Sequence, residues 1–273
     1  MGRRCVALLV VALVASAAAA PQSGARRGAA RPRDVKLAVV FPEGFTARQM
    51  ADRVAAVRRI AIRKRHVRPV LTGTGYAAAV KAARPPAGFV GAAGLEGFLF
   101  PSLYRFGPSS TGADLVRLQL AAFAKAWRTL DLSAAAARGQ TPYELLVVAS
   151  MVEREVSAPA ERPLVAAVID NRLAQGMPLG IDAALRYGLG IPGTRPLTQA
   201  ELRTDSPYNT RLHAGLPPTP IGNPGLASLR AAAHPAAVDY LYYVRIPGTQ
   251  THFFTADYAT FCAKVAEYGY GAC

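Results

Sequence analysis

Residues 145–152 read LLVVASMV, placing an apolar or small side chain on every side of a helix. The start of that helix is well marked. Thr141 is the N-cap candidate, Pro142 suits the first turn, and Glu144 completes a T-x-x-E capping box. A helix that is apolar all round must be enclosed by other elements, so the chain is expected to fold around this segment. Two acids follow at once, Glu153 and Glu155. They are two residues apart, about 200° around a helix axis, and so face different surroundings. Glu153 continues the stripe of Leu145, Leu146 and Ala149, while Glu155 continues Val148 and Met151. A carboxylate is costly to bury without a partner, and one held at the end of a core helix suits acid/base chemistry. The plainer alternative is that both are solvated, or paired with Arg154, Arg162 or Arg172.

The rest of the chain alternates short strands with helices, which indicates α+β. Residues 35–41 (VKLAVVF) read as a strand. A helix follows, capped by Thr46 and burying Met50, Val54 and Val57. Residues 60–90 carry weak signals, short helices at best, and Pro85–Pro86 mark a boundary. Residues 113–130 form an amphipathic helix with Leu115, Leu118, Ala122 and Trp127 inward. Another helix spans 163–175 and stops at Gly176. Residues 192–224 are loop, dense in Pro and Gly. A helix at 226–233, strands at 240–245 and 252–255 joined by an IPGTQ turn, and a helix at 258–268 complete the chain.

Composition bounds the compartment. Arg3 and Arg4 precede an apolar run at 6–20 that ends in small residues, the pattern of an export signal. The run is short for a membrane span of about 20 residues. Residues 21–34 read as a flexible tether. The net charge is +15, and residues 21–70 hold 13 Lys or Arg against 3 Asp or Glu. In an exported chain that charge points to anionic lipid or acidic wall polymers rather than nucleic acid. A solvated helix face is the other reading. Cys262 and Cys273 form an even pair near the tail, so a disulfide is expected, with two free thiols as the alternative. The four His residues lack metal-ligand spacing and the Gly residues form no phosphate loop; neither metal nor other cofactor is expected.

Five segments together resemble the endolytic murein transglycosylase (YceG-like) family. They are EGFLFPSLYRF from Glu96, ASMVEREV from Ala149, ERPLVAAVIDNRL from Glu161, SPYNTRLHAGLPPTPIGNPGLASLRAAAHP from Ser206, and YLYYVRIPGTQTHFFT from Tyr240. Glu153 matches the first Glu of the family's V-E-K-E motif, which carries the catalytic acid, and Glu155 the second. The family often reads L-Q-x-D-P-T-V where this chain has LGIDAAL from Leu179; Asp182 is kept, the Gln and the Pro-Thr pair are not. The resemblance implies a small LysM-like module at 35–90 and a YceG-like catalytic domain at 91–273. It implies cleavage of peptidoglycan glycan strands, with one Glu acting first as acid and then as base, leaving 1,6-anhydro-N-acetylmuramic acid ends. Glu155, Asn171, Asp182, Tyr208 and Asn209 are then substrate-binding candidates, and Glu96 a support for the loop near the acid. It also implies a position outside the cytoplasm at the outer face of the membrane, where family members are usually held by an N-terminal helix, and possible synthase partners. Competing readings are a muramidase-type hydrolase with Asp182 positioning water, and a non-catalytic wall-binding protein.

Overall fold

The computed structural model describes residues 36–271 and residue 273. The expected signal segment and tether lie outside the described residues. Strand β1 (Leu37–Val40) leads into helix α1 (Ala47–Arg65) and α2 (Gly73–Ala82), then strand β2 (Leu103–Phe106). Helices α3 (Gly112–Trp127), α4 (Ser133–Ala137), α5 (Pro142–Glu155) and α6 (Arg162–Ala174) follow. Next come α7 (Asp182–Leu189), α8 (Gln199–Leu202) and α9 (Leu226–Ala233). Strands β3 (Tyr242–Arg245) and β4 (His252–Thr255) and helix α10 (Tyr258–Glu267) end the order. The described region is therefore mixed α and β, with two separate two-stranded antiparallel sheets, β1–β2 and β3–β4. Among the described residues, no helix is long and apolar enough to cross a membrane.

The apolar helix takes the place its composition requires. Every residue from Leu145 to Val152 in α5 is buried, and α5 packs against α6, α7 and α9. Thr141 caps it, and the Thr141 hydroxyl and the Glu144 carboxylate each accept the other residue's backbone N–H. The one polar residue inside, Ser150, donates its hydroxyl to Val147 O and accepts Ile221 N–H at 3.0 Å. That second bond fastens the Pro- and Gly-rich loop along the helix.

The expected division at 90/91 does not separate two cores. β1 pairs with β2 from Leu37 opposite Phe106 to Val40 opposite Leu103, across that boundary. One core gathers Leu37, Phe41, Met50 and Tyr76 with Leu95, Leu99 and Leu115. The other surrounds α5 and takes in Phe98 and Phe123. The LEGFLF segment thus feeds both cores, Leu95 and Leu99 to one side and Phe98 to the other. Burying side chains of this size stabilises by about 1.5–3 kcal/mol each, so the segment ties the two halves. The weak stretch at 60–90 holds the end of α1 and all of α2, whose Ala- and Gly-rich face gives little hydrophobic period. In α3 Leu115 is buried and Ala122 and Trp127 pack against the cores as expected, but Leu118 is exposed, with Val116 and Gln119 buried instead.

Candidate active site

Glu153 stands at the end of α5 with its side chain only 6% exposed. Its Oε2 accepts the Gly225 backbone N–H at 2.9 Å, and Arg162 approaches its Oε1 at 3.5 Å. Arg162 is itself aimed by its Nε–H bond to Ser228 Oγ. Three elements thus converge on the carboxyl: the end of α5, the first turn of α6, and the loop that enters α9.

A fourth comes from the N-terminal half. The turn after β1 carries Glu43 and Gly44, and Gly44 has φ +74°, a conformation that glycine adopts without strain. A Cβ on Gly44 would stand 3.4 Å from Glu153 Cγ, so the turn rests on the catalytic candidate. Gly44 N–H donates to Asn223 O at 2.8 Å. Burial and the neighbouring Glu153 charge push the Glu43 carboxyl above its ordinary range, against the opposing pull of Arg162.

Glu96 lies beside this junction. Its carboxylate accepts Ala47 N–H, Asn223 Nδ2–H at 2.6 Å and Tyr187 O–H at 3.2 Å. Burial nevertheless pushes it up to about 7, the hydrogen bonds and Arg154 opposing. Asn223 is fully buried and also accepts Leu99 N–H and donates to Phe45 O. It binds the LEG loop, the Gly44 turn and the Pro-rich loop into one unit. Glu96 therefore ties the start of α1 to Asn223 and Tyr187.

The remaining candidates divide. Glu155 points away from Glu153, as their spacing predicts, and accepts Tyr243 O–H at 3.1 Å. Burial raises it, Tyr243 opposing and Asp182 adding to the rise. It braces the β3–β4 hairpin through that bond. Tyr208 joins the Glu96 cluster: its hydroxyl bonds Thr219 Oγ1 at 2.8 Å and its ring lies 5.3 Å from Tyr187. Asp182 is about half exposed and ion-paired with Arg211 at 2.6 Å. Asn171 and Asn209 are not brought to the Glu153 carboxyl. Asn171 donates to Val238 O and Tyr240 O, holding the strand approach to β3. Asn209 is fully buried and donates to Leu202 O and Thr204 O within its own turn. Both amides are consumed by backbone that would otherwise be unpaired. A cavity of about 770 Å³ lies at the other end of α5, lined by Tyr143, Arg138 and Asp170. There the Arg138–Asp170 pair, at 3.0 Å, knits α4 to α6.

Two residues escaped the sequence reading, Glu43 and Asn223. Each sits in a Gly-containing turn where an acid or an Asn has ordinary turn chemistry to do, which hides a site role. The signal was the position of both turns in otherwise apolar surroundings.

A nearly enclosed acid at the end of a core helix, clasped by a Gly-rich loop in a mixed α and β fold, defines the class. The chain belongs to the YceG-like family, which it matches over residues 17–267. An endolytic murein transglycosylase of Bacillus subtilis (strain 168) is 36% identical over 150 residues, 55% of this chain and 41% of that protein. One of Streptococcus pneumoniae (strain ATCC BAA-255 / R6) is 36% identical over 155 residues, 55% of this chain and 28% of that protein. The matched region thus spans less than half the length of these curated relatives. The crystal structure of a putative yceG-like protein from Listeria monocytogenes superposes with a TM-score of 0.64 at 28% identity, covering 82% of this chain and 74% of that one.

Proposed function

We propose that the protein is a lytic transglycosylase that cleaves peptidoglycan glycan strands internally, with Glu153 as its acid. The observation that carries this reading is the Glu153 carboxyl: nearly enclosed, yet held among the described residues by one backbone N–H and a guanidinium 3.5 Å away. The names of the curated relatives support the substrate class. In the proposed reaction Glu153 protonates the glycosidic oxygen as the bond to C1 of N-acetylmuramic acid breaks. The C6 hydroxyl of the same sugar closes on C1, its proton passes to the Glu153 carboxylate, and a 1,6-anhydro end is left. The nucleophile belongs to the substrate, so no water needs to be positioned. The engagement of Asp182 with Arg211 argues against the hydrolytic alternative.

The β1–α1–α2–β2 unit is proposed to be a LysM-like glycan contact, and the exposed basic residues of α1 to favour anionic lipid or wall polymer. An extracytoplasmic site of action, and synthases as partners, follow from the same proposal. Mass spectrometry of products from purified glycan strands tests it. Anhydro ends are expected from the native protein. In a folded Glu153→Gln variant, cleavage should fall by at least on the order of 10²–10⁴. Reducing ends would instead establish a hydrolase, and binding without cleavage a wall-binding protein.

A further inference from the structure

The turn after β1 places an acid beside Glu153. A Cβ built on Gly225 would lie 1.7 Å from Glu43 Oε1 and 2.2 Å from Glu43 Cδ, so the Glu43 carboxyl is laid directly over the Gly225 backbone. The same glycine donates its N–H to Glu153 Oε2 at 2.9 Å. With standard bond lengths, the two carboxylates lie within about 8 Å of each other. That bound is short enough for one glycosidic bond to lie against both carboxyls. The two differ in setting: Glu153 is nearly enclosed, whereas Glu43 is open to solvent on one side and only partly covered. Glu43 faces Glu153 on α5 and Arg162 on α6, with Arg154 against the neighbouring Gly44. An exposed carboxylate set against a buried acid is an unfavourable arrangement for stability, because like charges repel. Among the described contacts, no hydrogen bond or ion pair of Glu43 compensates it.

We propose that Glu43 is a second catalytic carboxylate, placed to face the positive charge that develops at C1 when Glu153 protonates the leaving oxygen. The assignment rests on the transglycosylase reading and adds to it: acid and base remain Glu153, and the N-terminal half supplies the electrostatic partner. Glu43 exchanges no proton in the step. Its negative charge opposes the transient cation until the C6 oxygen closes on C1. The small residue at 225 follows from the same arrangement, since any side chain there would displace the Glu43 carboxyl.

The test measures kcat and KM on purified glycan strands across pH, with product analysis and thermal melts, for the native protein, Glu43→Gln, Glu43→Asp, Gly225→Ala and Glu153→Gln. Glu43→Gln is expected to release the same anhydro ends with kcat lowered about 10²–10³-fold and KM within a few fold. Its kcat should lose the acid limb set by protonation of Glu43, a limb that lies above the ordinary glutamate range in the native protein. Gly225→Ala should lower kcat similarly with both acids retained, and Glu43→Asp should keep part of the rate. The proposal is overturned if folded Glu43→Gln keeps kcat within threefold, or if its whole loss is in KM. Should Glu43→Gln fail to fold, the same criterion is applied to Gly225→Ala. A native protein that forms no anhydro ends would overturn the transglycosylase reading instead, while an inactive Glu153→Gln beside a fully active Glu43→Gln would overturn this inference alone.

Discussion

At the scale of single residues, Glu96 shows how burial and hydrogen bonding compete. Ala47, Asn223 and Tyr187 all donate to its carboxylate, yet burial dominates and its folded value is about 7. The protonated form is favoured by folding, so the contribution to stability is complete below pH 4.5 and is lost as pH rises through about 7. A rise of this size corresponds to on the order of 3 kcal/mol. Urea unfolding should therefore show Glu96→Gln gaining on the native protein between pH 5 and pH 8, by up to that amount. A difference independent of pH would mean that Glu96 keeps its ordinary acidity. Asn223 is the second residue to test. Its replacement by Ala strands the buried Leu99 N–H and removes bonds to Phe45 and Glu96. A loss of about 2–4 kcal/mol is expected from the urea midpoint at constant slope, since stranded buried donors cost about 1–3 kcal/mol each.

At the scale of elements, the C-terminal hairpin and helix form a clamped unit. Its inner face is held by Tyr243 on Glu155 and by His252, whose ring bonds Glu161 at 2.7 Å. Arg172 adds a bond to Leu241 O. The outer face packs Tyr242 on Tyr258 and Phe261 of α10. Cys262 and Cys273 are joined by a disulfide, with Cα atoms 5.4 Å apart, as the paired cysteines suggested. The bridge closes a span of 11 residues and should stabilise by about 2–3 kcal/mol in the chain-entropy model. Alkylation followed by intact mass should find no free thiol at either position. The double Ser variant should melt lower but cleave at the native rate below its transition, because the bridge ties the tail to α10 and not to Glu153.

At the scale of the molecule, the N-terminal half reaches the candidate site. It supplies the Gly44 turn to Glu153 and the partners of Leu95 and Leu99. A fragment of residues 91–273 should therefore lack a cooperative unfolding transition, because β2 loses β1 and one core loses most of its members. A sharp native-like melt of that fragment would show the halves to be independent. The charge of α1 acts separately. Arg58 and Arg65 bond the backbone of Pro69 and Lys36, whereas Arg59, Arg63 and Lys64 are exposed. Changing those three to Gln should weaken sedimentation with anionic vesicles by tenfold or more at low salt, at about 1 kcal/mol per charge. Turnover on short soluble strands should be unchanged.

The core helix, its cap and the divergent directions of Glu153 and Glu155 were legible in sequence, because each depends on neighbours within one or two helical turns. So were α9, α10 and the hairpin, whose signals are local periodicity and turn residues. Of the partners of the acids, Arg162 was among the candidates and stands at Glu153, while the more distant ones were not legible. Glu43 is 110 residues from Glu153 in the chain, and Asn223 is 127 from Glu96, separations that carry no periodic signal. The motif residues Asn171 and Asn209 looked like ligands for sugar, but tertiary structure gives their amides to carbonyls at Val238, Tyr240, Leu202 and Thr204. Local sequence determines which segments must be helix and which face is buried. Which acid ends beside which is decided by long-range packing, where every buried donor and acceptor must find its partner.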